Sequence, residues 1–451
     1  MLPSRYPANP FALAARAFCA GALALSLSAP ALAAPDAETA AVIKELRQRL
    51  DALEAQLAAE RAARATPPPA PVAAAAPAAA KPGETKIGDT KLTWGGYVKA
   101  DAMYSRFSEG EVAQSTSRDF YVPGTIPVST GNGESRDFFD AHAKETRLFL
   151  KTETALDGHK LGTHIEFDFI VSQGTGNELV TNAYNPGLRR AFITYDNWLI
   201  GQEWSTFQNL GALPETLDFV AFPSDGTVFM RQPQVRYTLG NFQLALENTE
   251  TSVLPGGGGA VAGSGDGRVP DAVARYNFKL GAAELSLAGL LRQLHVDNPA
   301  AGATAAVSDS STGGGLSFSG RIPLGKDDLK FMLTSGEGLG RYLALGTSAD
   351  AVLANGELSG IGITAGYLAY KHQWTPTLRS TLTASTFQAD NDLVLTGGAV
   401  TKSVTSFSGN LLYSPVAKLT FGVEYRHASR EIESGADGAL DRLQFSTKYL
   451  F

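Results

Sequence analysis

Seven cationic side chains spread through the middle of the sequence have the chemistry to hold small anions: Arg147, Lys151, Arg190, Arg231, Arg236, Arg275 and Arg292. A guanidinium is a planar fork that matches a carboxylate through two parallel hydrogen bonds, so two forks at a suitable separation can hold both ends of a diacid. Carboxylates are interspersed among them, at Glu145, Glu153, Glu166, Asp168, Glu215 and Asp218, and each cation therefore has the alternative role of balancing a neighbour. His164, Glu166 and Asp168 share one face of an alternating segment and could be imagined as metal ligands. Alternation makes such sets common on any hydrated face, and no metal or other cofactor is expected. Catalysis is not expected either. The chain has six His and a single Cys, and neither GxSxG nor HExxH occurs to supply a nucleophile or a metal-held base.

The elements that carry these residues read as strands. In KLGTHIEFDFI, His164, Glu166 and Asp168 alternate with Ile165, Phe167 and Phe169; in KETRLFLKTET, Glu145, Arg147, Lys151 and Glu153 oppose Leu148 and Leu150. Period two with turn residues on both sides is the signature of a two-faced strand. Sixteen such segments follow one another, from Trp94–Tyr104 to Asp441–Phe451. Seven connections are tight, centred on Asp157-Gly158, Asp196-Asn197, Leu239-Gly240, Leu280-Gly281, Leu324-Gly325, Thr375-Pro376 and Ser414-Pro415. They alternate with eight longer ones, such as residues 105 to 143 and 205 to 228. Short turns at one end and long loops at the other belong to a transmembrane barrel. A charge aimed at the bilayer midplane costs about 2 to 4 kcal/mol, so the charged faces must line water. The pattern predicts an all-β transmembrane barrel, a 16-stranded antiparallel porin preceded by a short N-terminal coiled-coil helix.

Residues 1–33 have the form of a secretory signal peptide, with Arg5 and Arg16, the apolar run AFCAGALALSLSA and the small-residue site Ala31-Leu32-Ala33. Cleavage there removes Cys19 and takes the formal charge from −7 to −9. An acidic exported protein lacks the basic surface that nucleic-acid binding uses to displace counterions. Within residues 34–65, Ile43, Leu46, Leu50, Leu53 and Leu57 follow the 3-4 spacing of a coiled-coil core, and this seam leaves the oligomer number open. Residues 66–86 are a Pro/Ala-rich linker, and residues 87–451 make up the barrel. The expected location is the Gram-negative outer membrane, barrel in lipid, with the helix in the periplasm.

The connection 205–228 lies between the fifth and sixth strands, where sixteen-stranded porins fold a constriction loop inward; Glu215 and Asp218 sit on it. The last strand ends in Tyr449 and Phe451, which fits the aromatic girdle and resembles the assembly signal read by the outer-membrane barrel assembly machinery. Gly201-Gln202, Trp204, Ser205 and Phe207, followed by Asp218-Phe219 and Arg231-Gln232-Pro233, together with GGYVKADAMYS and the terminal KYLF, resemble the DcaP-like family of outer-membrane porins. That resemblance implies a homotrimer with a periplasmic coiled coil and a preference for small organic anions, notably dicarboxylates. The expected function is a passive diffusion channel for small hydrophilic solutes. The alternatives are a non-selective or phosphate-type porin, and a barrel whose main role is tethering through the coil.

Overall fold

The computed structural model describes residues 83–113, 116–170, 181–218, 223–298 and 306–451, together with Lys44, Gln48, Arg49 and Ala52. Two compact units divide the chain, Met1–Ala78 and Ala79–Phe451. In the first, the four described residues are helical. The signal peptide and the coiled-coil core, Ile43, Leu46, Leu50, Leu53 and Leu57, lie outside the described residues, as does most of the linker. Its last residues do not: Glu84–Ile87 is a short strand that folds back on Thr90–Thr93.

The second unit is a closed wall of sixteen antiparallel strands. They are β1 (Thr90–Phe107), β2 (Arg147–Leu156), β3 (His159–Asp168), β4 (Gly187–Tyr195), β5 (Trp198–Trp204), β6 (Arg231–Leu239), β7 (Phe242–Glu247) and β8 (Asp271–Leu280), followed by β9 (Ala283–Asn298), β10 (Val307–Leu324), β11 (Asp327–Glu337), β12 (Gly362–Gln373), β13 (Leu378–Asp390), β14 (Thr401–Val416), β15 (Leu419–Ile432) and β16 (Asp437–Leu450). Each pairs with its neighbour in sequence, and β16 returns to β1 with Leu450 opposite Tyr97 and Leu440 opposite Phe107. Closure extends to the last residue, where the Phe451 amide donates to the Gly96 carbonyl at 3.2 Å. Beside the upper half of β1, Arg136–His142 continues the wall position that β2 holds beside the lower half.

Alternation decides the faces. Leu150, Ile165, Leu244, Leu291 and Leu382 point outward and are exposed, as an apolar skin in lipid must be, and Trp94, Tyr195, Trp198, Tyr237, Tyr413 and Tyr449 form a belt near the short turns. All sixteen expected strands are present, most of them longer than their alternation indicates. Strand β10, expected over Gly314–Ile322, begins at Val307, because Ser308, Ser310 and Ser311 extend beyond the apolar band and carry no two-faced signal. One turn differs. The β14–β15 connection is Ala417-Lys418, not Ser414-Pro415; Pro415 lies within β14 at an irregularity between Tyr413 and Val416, where the ladder needs no donor from it.

The apolar core lies beneath inward-folded loops rather than at the barrel axis. Phe207 and Val228 of the segment 205–230 pack with Tyr342 and Leu343 and with the wall residues Met332 and Phe387. Its position between the fifth and sixth strands singled out only this loop, yet among the described residues three segments turn inward. Tyr121, from the loop after β1, donates its amide to Asp218 at 2.8 Å, and the Phe229 amide donates to the Tyr342 carbonyl at 2.9 Å. Val228 also forms an isolated bridge with Leu343.

Candidate permeation path

The inward faces of β2 to β5 carry a compact ionic cluster. Arg147 lies 3.4 Å from Asp168 and 3.9 Å from Glu166. Arg190 forms a fork on Glu203, with Nε at 2.7 Å and Nη2 at 2.5 Å. Between them stands Arg189, which parity assigned to the outside. The β3–β4 ladder shifts register between Glu166 and Phe167, so Glu166 opposes Arg190 while Phe167 opposes Leu188, and the extra residue turns inward. Arg189 is buried, its Nε 2.9 Å from Glu166 and its Nη1 2.5 Å from Asp168. The Arg-Arg doublet facing Glu-x-Asp was the sequence signal for it. His164 is stacked between Phe149 and Phe192, so in the His164-Glu166-Asp168 set the two carboxylates are held by guanidinium groups and the imidazole by rings.

Other cations stand without such partners. Among the described residues, no carboxylate lies within 4 Å of Lys151, Arg231, Arg236 or Arg275, nor of the inward-facing Lys330 and Lys448, which are not among the seven cations singled out from the sequence. Arg236 is steadied by neutral acceptors, the Thr206 hydroxyl at 2.8 Å and the Trp204 carbonyl at 2.5 Å. Arg275 reaches the Gln208 carbonyl at 2.5 Å and the Gln243 side chain. The two arginines line one recess, and the Gln208 amide group in its wall is buried without a hydrogen-bond partner. Lys448 lies 4.0 Å above the Tyr97 ring in a second recess. Arg231 rests 4.8 Å over the Trp204 ring at the root of the loop. Arg292 has a different placement: fully buried, it pairs with Asp350 at 2.9 Å and Asp271 at 3.5 Å and joins the loop after β11 to the wall.

The segment 205–218 follows the wall from β10 round to β1. Asn209 donates to Ser319 on β10, Lys330 on β11 to the Leu213 carbonyl at 2.7 Å, and Tyr367 on β12 to the Ala212 carbonyl at 2.9 Å. Beyond these, the Leu217 amide donates to Glu424 on β15 at 2.9 Å and Lys99 on β1 to the Leu217 carbonyl at 2.5 Å. Glu215 meets Arg379 on β13, and Asp218 accepts from Tyr121 and lies 3.8 Å from Arg442. Further along, Asp225 is fully buried and accepts from the Ser406 hydroxyl at 2.8 Å; burial pushes its carboxyl above the usual range.

The family model described as DcaP outer membrane protein matches residues 76–451. This chain belongs to the DcaP outer membrane protein family. The outer membrane channel DcaP of Acinetobacter baumannii superposes with a TM-score of 0.65 at 25% identity, over 81% of this chain and 99% of that one. OmpT of Vibrio cholerae, expressed in the outer membrane, matches with a TM-score of 0.50 at 11% identity, over 82% of this chain and 100% of its own, a likeness of fold alone. No curated protein sequence matches the chain. As a DcaP-family member with a closed sixteen-stranded wall, the protein is an outer-membrane channel for passive passage. The residues that carried the resemblance shape the loop root. Gly201, at φ +133°, lets β5 approach β4 so closely that an added Cβ would lie 2.4 Å from the Ala191 carbonyl oxygen. Trp204 is the ring beneath Arg231, and Gln232 donates to Glu247 and Tyr342, both at 2.7 Å.

Proposed function

We propose that this DcaP-family channel prefers small organic anions, dicarboxylates among them, and works as a homotrimer. The observation that carries the preference is the set of inward cations without carboxylate partners, Lys151, Arg236, Arg275, Lys330 and Lys448, in a chain whose formal charge is −7. Carboxylates also face the bore, but Glu166, Asp168 and Glu203 are held by guanidinium groups, whereas among the described residues these five cations have no carboxylate within 4 Å. Arg236 and Arg275 stand two strands apart and two residues out of register, about 12 Å at the backbone, and both line one recess, where their long side chains can reach the two ends of a short diacid. Holding must be weak for flux: a site near 1 mM, about −4 kcal/mol, releases its solute quickly. The trimer is supported by the outer surface. From β1 to β3 it presents Ala100, Ala102, Thr152, Thr154 and Thr163 among larger residues such as Val98, Tyr104, Leu150 and Ile165, whereas β6 to β9 present Val235, Leu244, Leu246, Leu287 and Leu291.

The test is a reversal potential in planar bilayers under a KCl gradient, repeated with a succinate salt on one side. Anion preference with succinate slowing the chloride current is the expected result. A reversal potential of the sign set by potassium removes the anion reading and leaves the channel intact.

A further inference from the structure

Within the second recess, Glu215 of the loop and Arg379 of β13 form a two-point fork. Arg379 Nε donates to Oε2 at 2.7 Å and Nη2 to Oε1 at 2.5 Å, while Nη1 is held by the Ser414 hydroxyl at 2.9 Å. That is the geometry in which a guanidinium grips a free carboxylate. The Glu215 side chain is 40% exposed against 17% for Arg379, so water reaches the pair from the carboxylate side. Lys448, without a carboxylate within 4 Å among the described residues, lines the same recess. The loop does not depend on this pair for its place: Leu213 is held by Lys330, the Glu215 carbonyl by Asn410 at 2.9 Å, and the Leu217 amide by Glu424. A partly exposed ion pair adds little to stability, so the Glu215 side chain can exchange its partner at small cost.

We propose that Glu215 is a resident carboxylate that competes with anionic solutes for Arg379, and thereby sets how tightly the channel holds them. An entering carboxylate takes the Arg379 fork, the Glu215 side chain turns into the water it already faces, and Lys448 steadies the solute charge. The contact deepens the anion reading and rests on it. It makes Glu215 a specificity-determining residue that weakens binding, which favours flux.

The test uses the full-length channel and its Glu215→Gln, Arg379→Gln and double variants, each first checked for a folded barrel by heat-modifiable migration. Succinate inhibition of the chloride current is titrated for each. Glu215→Gln is expected to lower the half-inhibiting concentration roughly two- to five-fold, the scale of a partly exposed ion pair. Removing a negative charge from anywhere in the bore does something similar, and the double variant separates the two causes. Competition at Arg379 requires the Glu215→Gln effect to vanish when Arg379 is already Gln, whereas a general field effect persists there. Persistence, or no change in Glu215→Gln alone, overturns the proposal. The wild-type reversal potential reports separately on the anion reading.

Discussion

Arg236 and Arg292 occupy equivalent places in the alternating pattern and have opposite surroundings. Arg236 has neutral acceptors only, so its charge is felt by the bore; Arg292 is spent on two buried carboxylates. Replacing Arg236 and Arg275 by Gln is therefore expected to reduce the chloride-over-potassium permeability ratio about two- to five-fold, since a charge a few ångströms away in water is worth about 1 kcal/mol. Reversal potentials measure this directly. Arg292→Met leaves Asp350 buried without its ion-pair partner and Asp271 with Arg341 alone, at 3.6 Å, a loss of about 3 to 5 kcal/mol. It should show as unfolding at lower temperature in heat-modifiability gels. Parity in the sequence found the inward face for both residues. It had no means of distinguishing them, because pairing depends on cross-strand register and on which loop closes over the site. Arg189 makes the same point: one register shift moved it from the lipid side to the lumen.

At the level of elements, the strands were legible and the inward segments only in part. A strand repeats its two-residue period for a whole membrane crossing, whereas Phe120, Tyr121 and Tyr342 are single apolar residues in loops with no period to reveal that they turn inside. The loop 205–228 was visible from its position, and its buried acid gives it a testable pH response. Asp225 faces the Ser406 and Ser385 hydroxyls, Tyr121 and Arg426, and burial outweighs these in raising its carboxyl above the unfolded value of about 3.9. The folded state then binds the proton more strongly than the unfolded one. Its contribution to stability is complete below the unfolded value and is lost as pH rises through the folded value. Thermal unfolding of the detergent-solubilised barrel should show this fall, and Asp225→Asn should abolish it. The variant is expected to match the wild type near pH 4 and to equal or exceed it near pH 7. A parallel decline in both proteins would assign the pH response to other groups.

For the whole molecule, closure at sixteen strands followed from alternation and loop asymmetry, and the last residue takes part in it through the Gly96 carbonyl. Which part of the outer wall would meet another copy in the proposed trimer was not legible, since small and large apolar residues both satisfy an outward position. On the β1 side the structure interleaves them: Ala100 and Ala102 stand between the exposed Val98 and Tyr104, with Ala102 opposite Ala141, and above them Arg106 and Asp137, both exposed, stand on the outward face near its upper rim. Small residues set between larger ones let another backbone approach closely, a packing gain that acyl chains do not supply. Large residues placed there should therefore disturb assembly, and the same residues on the aliphatic side should not. Ala102→Trp is expected to cost about 1 to 3 kcal/mol per interface through overpacking, lowering the temperature at which unboiled trimers dissociate on gels. Leu291→Trp, on the exposed face of β9, should leave that temperature unchanged. Equal behaviour of the two variants, with both barrels folded, would place the subunit contact elsewhere on the wall.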